Sequence, residues 1–167
     1  MDRKMSFIIR EKNSAEDMAF FAELDYESFK TTLKEQNIPE EEIRGKYKEF
    51  LKADPVDPEG PDHLILIVED EKRRRCGLIW ICRRKPFWRF ITTHIWIYNL
   101  HIIEEYRGMG LANRLLMKAE DWTISQGLNL IALHVIDSNK VARYIYEKRG
   151  YKIVATHKES CFYEKKV

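Results

Sequence analysis

Apolar residues recur along the first third of the chain at intervals typical of helices. After a short strand at 6–11, spacing of three to four residues predicts an amphipathic helix over 15–33. A second helix is predicted from Pro39 to about Lys52, because proline suits a helix start and the next three residues are acidic. Its buried face would consist of Ile43, Tyr47, Phe50 and Leu51.

The rest of the chain reads as strands interrupted by two helices. Strands are predicted at 63–70, 76–83, 90–103, 128–136, 151–158 and 161–167, and helices at about 109–126 and 140–149. The strand at 90–103 is apolar on both faces, as expected of a central buried strand. One helix with short links connects it to the strand at 128–136, so these two should be parallel with a right-handed crossover. The pattern predicts an α/β fold with a mixed sheet.

The composition fits one globular domain. The chain has 167 residues, of which 44% are hydrophobic and 34% charged, and this length suits one domain over 1–167. The proline-rich stretch 53–62 is then an internal loop. The formal net charge is only +2, so global charge indicates no particular partner. Apolar stretches are far shorter than the roughly 20 residues of a membrane helix, so we expect no membrane association.

The cysteines indicate a reduced chain. Cys76, Cys82 and Cys161 form no CxxC pair. Cys76 and Cys82 would lie about 20 Å apart on one extended strand, which is too far for a disulfide. We therefore expect an intracellular, cytoplasmic protein without a metal site.

A glycine-rich stretch, YRGMG at 106–110, lies between a buried strand and a helix. The first N–H groups of a helix lack internal partners and carry partial positive charge, so they can bind an anion. Glycine would let a phosphate approach these groups, and Arg107 would add a planar donor fork. Alternatively, the glycines serve only the packing of a tight turn. With Asn113 in place of the third glycine and no GK[ST], the stretch is neither a dinucleotide fingerprint nor a P-loop.

A second motif, SNKVARYIYEKRGY at 138–151, lies one helix and one strand beyond the glycines. Together the two stretches resemble the GNAT superfamily of acyl-CoA-dependent N-acetyltransferases. In the first, Gly108, Gly110 and Ala112 match the family's pyrophosphate loop. The second matches the family's other signature at Asn139, Ala142, Ile145, Tyr146, Lys148, Gly150 and Tyr151. The match spans roughly 94–166, whereas the first 60 residues agree only in the order of elements.

The resemblance implies a fold and a co-substrate. The fold would be a mixed, mostly antiparallel sheet of about six to seven strands with a central splayed parallel pair, flanked by about four helices. The segment 34–62 would be a helical insert that shapes the acceptor site. The co-substrate would be acetyl-CoA, and its thioester and pantetheine would meet free backbone N–H groups at the end of the long strand. The implied cofactor contacts are His101, Ile102, Ile103, Arg107, Gly108, Met109, Gly110, Leu111, Ala112, Asn139 and Arg143.

The resemblance also implies an acid and a base. Tyr146 occupies the position of the family's general acid, which protonates the departing thiolate; alternatively, it is an aromatic residue on the apolar helix face. Trp96 stands where many members have a basic carboxylate. His134, in LHVIDSN, is the better candidate, because this stretch is similar to N-terminal protein acetyltransferases and histidine titrates near neutrality. Alternatively, His134 is a buried structural residue, and no dedicated base exists.

The expected reaction is acetyl transfer to a primary amine, either a small molecule or a protein or peptide amino group. A homodimer is compatible with the sequence. Two other functions remain open: a non-catalytic acyl-CoA sensor and a nucleic-acid-binding protein. The second rests on the basic connectors EKRRR and RRKPFWR. The net charge of +2 and the nearby acidic residues favour solvated turns there, so we expect no nucleic-acid partner.

Overall fold

The computed structural model describes residues 5–33 and 37–167. Its strands are β1 (Phe7–Glu11), β2 (His63–Asp70), β3 (Arg75–Arg84), β4 (His94–Ile102), β5 (Leu130–Ile136), β6 (Lys152–His157) and β7 (Ser160–Lys166). Its α-helices are α1 (Ala15–Lys30), α2 (Glu40–Ala53), α3 (Leu111–Ser125) and α4 (Lys140–Lys148), and a 3-10 turn spans Glu104–Tyr106. The element order agrees with that predicted from the sequence. No helix in the described part of the chain has the length and apolarity to cross a membrane.

The strands form one seven-stranded sheet in the order β1-β2-β3-β4-β5-β7-β6. Only β4 and β5 are parallel neighbours; every other pair of strands is antiparallel. The parallel pairing is short, since it joins Ile95–Ile97 to Ile131–Leu133 and goes no further. The prediction of a mixed, mostly antiparallel sheet with a splayed central parallel pair is confirmed.

Helices cover the two faces of the sheet unequally. On one face, α3 and α4 pack against the sheet, and Leu115 and Leu116 of α3 are fully buried there. Truncating such a leucine to alanine costs about 2–5 kcal/mol. On the opposite face, α1 buries Phe21 and Leu24 against β2 and β3. We call these the α3 face and the α1 face.

The second helix differs from its predicted packing. None of the described residues of α2 is buried, and Phe50 and Leu51 are 55% and 45% exposed. The expected buried face is therefore wrong. The reason is that α2 lies on α1 and not on the sheet: the rings of Tyr47 and Phe50 contact Phe29 of α1 at centroid distances of 5.3 and 5.1 Å.

The central strand also differs from the prediction of one strand over 90–103. β4 begins only at His94, because Phe87 and Phe90 exchange two backbone hydrogen bonds and close a tight turn first. Opposite β3, Trp80 pairs with Asn99 but Ile81 pairs with Ile97, so β4 contains one extra residue at this point. Such a bulge reverses which alternate side chains face each side of the sheet.

Candidate active site

A gap between β4 and β5 lies beyond their last paired residues, Ile97 and Leu133. Across from the gap, the N–H of Ile103 donates to the carbonyl of Cys76 at 2.9 Å. Backbone amides of a strand alternate between its two edges, so the N–H of His101 also points toward β3. The amides of Ile102 and Leu100 point into the gap. The expected free N–H groups at His101 and Ile103 are therefore wrong, and Leu100 is a candidate donor that the sequence did not indicate.

The bulge turns two polar side chains of β4 toward α1. Nδ1 of His101 lies 2.9 Å from the Ser28 hydroxyl, which also donates to the Asn99 side-chain oxygen at 3.1 Å. Nδ2 of Asn99 donates to Asp25 at 3.1 Å. Burial and the nearby Arg107 charge lower the pKa of His101. His101 is thus a neutral side chain that joins α1 to β4.

The glycine loop leads from β4 into α3. Gly108 and Gly110 both have φ of +77°, and Gly110 is the N-cap of α3 without a side-chain cap. A Cβ at either position would meet no atom within 4 Å. Packing inside the protein therefore does not require glycine here. The left-handed backbone does. The first N–H groups of α3 lack internal partners, as in any helix, and Gly110 offers no side chain to cap them.

The other loop residues divide into exposed and buried ones. Nε of Arg107 donates to the Ile102 carbonyl at 3.0 Å, and the side chain is exposed. Met109 is 42% exposed. Leu111 is a core residue, 2% exposed, so it can offer a ligand only its backbone. Ala112 is partly buried beside it.

At the start of α4, two predicted cofactor residues have structural contacts. The Asn139 side-chain oxygen accepts the N–H of Ala142 at 3.1 Å, which caps the helix and leaves the Nδ2 group to donate. Arg143 donates from Nε to the Tyr163 hydroxyl and from a terminal nitrogen to the Asp137 carbonyl, both at 3.1 Å. The Arg143 guanidinium is therefore held against the protein, unlike that of Arg107.

Tyr146 lies on the α3 face in a group of three tyrosines. Its ring centroid is 5.6 Å from that of Tyr151 and 6.3 Å from that of Tyr163. The Tyr151 and Tyr163 hydroxyls donate to Glu120 and Glu147, respectively. Among residues 5–33 and 37–167, no group forms a hydrogen bond with the Tyr146 hydroxyl. Burial raises the pKa of Tyr146 well above its usual range, so the phenol is protonated at neutral pH and free to donate.

His134 lies on the opposite, α1 face. Its ring centroid is 6.0 Å from Trp96 and 5.6 Å from Phe162. The residue is exposed, so the alternative of a buried structural histidine is wrong. The surrounding rings still displace water from the imidazole, and together with the Arg84 charge they lower the pKa of His134. A neutral imidazole that can accept a proton therefore faces solvent on this side.

Comparison with known proteins identifies the family. A model of the acetyltransferase (GNAT) family matches residues 20–151. The chain belongs to the GNAT acetyltransferase family. The predicted resemblance and the predicted class of enzyme, an N-acetyltransferase, are thereby confirmed.

Individual GNAT relatives agree in sequence and in structure. The N-acetyltransferase YycN of Bacillus subtilis is 27% identical over 114 residues, which are 68% of this chain and 71% of YycN. An acetyltransferase from Pyrococcus furiosus superposes with a TM-score of 0.75 at 25% identity, covering 92% of this chain and 98% of its own. The PaiA N-acetyltransferase from Thermoplasma acidophilum, solved with coenzyme A, has a TM-score of 0.72 at 25% identity and covers 98% and 100%.

Proposed function

We propose that this GNAT protein transfers an acetyl group from acetyl-CoA to a primary amine by direct attack in a ternary complex. The observation that carries the proposal is the gap between β4 and β5. Tyr146 lies on the α3 face of the sheet and His134 on the α1 face, so the gap is an opening through which a thioester and an amine can meet.

Acetyl-CoA would bind on the α3 face. Its pyrophosphate would contact the open N–H groups from Gly108 to Ala112 and the terminal nitrogens of Arg107, an arrangement suited to phosphate. Asn139 would donate from Nδ2 to the pantetheine or diphosphate arm. Arg143 would remain a contact for the 3′-phosphate only if it exchanges one of its present bonds. The PaiA enzyme, which binds coenzyme A, supports this placement by its similar fold.

The amides of Leu100 and Ile102 would hold the thioester side of the gap. As the amine attacks the carbonyl carbon, negative charge develops on the carbonyl oxygen, and one N–H donor is commonly worth about 3 kcal/mol of stabilisation there. His134 would accept the proton that the amine loses, directly or through water. The carbon–sulfur bond then breaks, and Tyr146 would donate its proton to the thiolate.

The acceptor is either a small amine or a protein or peptide amino group. The similarity of LHVIDSN to N-terminal protein acetyltransferases favours peptides. The segment 34–62, whose described part includes the exposed helix α2, favours small amines because it would narrow the approach to His134. We further propose that residues 1–167 act as one domain in the cytoplasm.

Thiol release from acetyl-CoA across a panel of acceptors tests the proposal. The panel contains peptides with free N-termini, polyamines, amino sugars and amino acids. We expect release with at least one class, and a product whose mass is raised by one acetyl group. Binding of acetyl-CoA without release on any amine would instead indicate a sensor.

A further inference from the structure

One guanidinium lies among aromatic rings on the α1 face near His134. Arg84, the last residue of β3, alternates with Trp80 and so faces the same side of the sheet. Its guanidinium carbon lies 3.7 Å from the ring centroid of Phe87, 5.2 Å from that of Trp96 and 5.9 Å from that of Tyr98. We call Arg84, Phe87, Trp96 and Tyr98 the Arg84 wall.

The Arg84 wall continues directly to the proposed base. The Trp96 ring, which contacts the Arg84 guanidinium, is also 6.0 Å from His134. The positive charge of Arg84 contributes to lowering the pKa of His134. On this side of the sheet α1 packs on β2 and β3. The Trp96 ring is 2% exposed beneath Phe87 and Phe90, and it separates Arg84 from the exposed His134.

Arg84 has no carboxylate partner among residues 5–33 and 37–167. By contrast, Arg10, Arg75 and Arg149 each form ion pairs of 2.7 Å with buried carboxylates. The carboxylates of Asp54 and Glu164 act on neighbouring Tyr98 and His94, but neither forms an ion pair or hydrogen bond with Arg84.

This environment leaves the edge of the guanidinium available. Aromatic faces attract the flat side of the cation but accept few of its five N–H groups. A partly buried cation whose N–H edge lacks an acceptor is costly, and a ligand carboxylate can satisfy that edge with two parallel bonds.

We propose that the amine acceptor carries a carboxylate that binds the edge of Arg84, with its amine at His134. The inference rests on the proposed acetyl transfer and narrows its acceptor to amino acids or their derivatives. Polyamines would bring a second cation against Arg84 and are disfavoured. Because the Trp96 ring lies between Arg84 and His134, the number of carbon atoms between the amine and the carboxylate determines whether an acceptor can reach both residues.

Matched acceptor pairs test this inference. Glycine, β-alanine, 4-aminobutyrate and 6-aminohexanoate are each compared with the corresponding carboxamide, which keeps the amine and the length but removes the charge. For at least one length we expect the acid to be preferred about tenfold or more in kcat/KM. In Arg84→Gln this preference should shrink to about twofold or less, mainly through a higher KM for the acid. The matched control is Arg83→Gln, since Arg83 is exposed and alternates to the other face; it should keep the preference.

Four outcomes would overturn the inference. If acids and carboxamides react equally with the wild-type enzyme, or if polyamines are preferred, the proposed carboxylate contact is wrong although acetyl transfer still occurs. An unchanged preference in Arg84→Gln would place the carboxylate contact elsewhere. Failure of every amine, with acetyl-CoA binding retained by calorimetry, would remove the proposed transfer and this inference together. A pH titration of the His134 imidazole resonances by NMR measures the effect of Arg84 directly. The pKa of His134 should rise in Arg84→Gln but not in Arg83→Gln.

Discussion

Replacement of Tyr146 by phenylalanine should lower kcat while leaving the free energy of unfolding almost unchanged. The Tyr146 hydroxyl forms no hydrogen bond with any described residue, so Tyr146→Phe removes no bond that stabilises the fold. Its ring, packed against Tyr151 and Tyr163, is retained. We expect the free energy of unfolding to change by less than about 0.5 kcal/mol, as for substitutions that leave no unpaired group.

The effect on turnover should lie at or below the lower end of the range for general acids, which contribute about 10²–10⁴-fold. A cysteine thiol, which like the leaving group is an alkyl thiol, has an ordinary pKa of about 8.5, while burial raises the pKa of the Tyr146 phenol above its usual value. Complete proton transfer is therefore uphill, and the phenol stabilises the developing thiolate chiefly by its hydrogen bond. We expect kcat to fall about ten- to a hundredfold, or roughly 1.4–2.8 kcal/mol in the barrier.

Single-turnover thiol release and calorimetry with acetyl-CoA measure the two effects separately. The matched control is Tyr151→Phe, because this neighbouring buried tyrosine donates to Glu120 at 3.3 Å. Its loss should cost about 1 kcal/mol of stability, or a Tm lower by about 2–4 °C, with little change in kcat. If Tyr146→Phe keeps the wild-type rate in a folded protein with unchanged affinity, Tyr146 is not the acid.

Three further predictions concern the glycine loop, the base and the start of α1. Gly110→Val should weaken acetyl-CoA binding because its side chain would fill the open pyrophosphate position. The control is Gly127→Val, because Gly127 has φ of +69° and equally open surroundings. Both variants should lose about 1–2 kcal/mol of stability, but Gly127→Val should leave the Kd for acetyl-CoA unchanged. Equal affinities in the two variants would contradict the proposed position of the pyrophosphate. The pKa of His134 is lowered, so in the wild-type enzyme the base is lost, and kcat/KM falls, only as the pH drops below about 6.5. His134→Gln should abolish this fall of kcat/KM at acidic pH. If the fall persists in the variant, another group is the base. Asp17→Asn should lower the free energy of unfolding by about 3–5 kcal/mol, because this buried carboxylate pairs with Arg10 and Arg75. Arg10 holds the pKa of Asp17 well below its usual range, so in urea unfolding the difference from wild type should be full above about pH 4 and shrink as pH falls further.

Local signals predicted the backbone geometry on the proposed cofactor side of the site. The helix over 140–149 begins at Asn139 because the side chain of Asn139 itself caps it, and such a cap is visible in a sequence. Gly108 and Gly110 indicate a backbone with positive φ, and both have it. Tyr146 follows from its position in the same short motif. Each of these features depends on residues within a few positions of one another.

The acceptor side could not be predicted in this way. The direction of the amides in β4 depends on the bulge opposite Trp80 and Ile81, and a strand that is apolar on both faces gives no alternation from which to locate it. Arg84 belongs to a basic stretch that the sequence alone suggests is a solvated turn. Only the pairing of Arg84 with His94, and the turn closed by Phe87, place its guanidinium against Trp96.

The bulge and the polar contacts of α1 together explain why the gap can exist in a folded sheet. Unpaired strand amides are costly when buried, so β4 and β5 would ordinarily remain paired along their length. The extra residue in β4 turns Asn99 and His101 toward α1, where Ser28 and Asp25 bind them. These bonds hold β4 to the helix and offset the pairing that it loses with β5. The amides left over, at Leu100 and Ile102, are then donors without a strand partner, and a ligand with carbonyl oxygens can complete the ladder. A substitution such as Ser28→Ala, which breaks the link between α1 and β4, should therefore act on the geometry of the gap although Ser28 lies outside it.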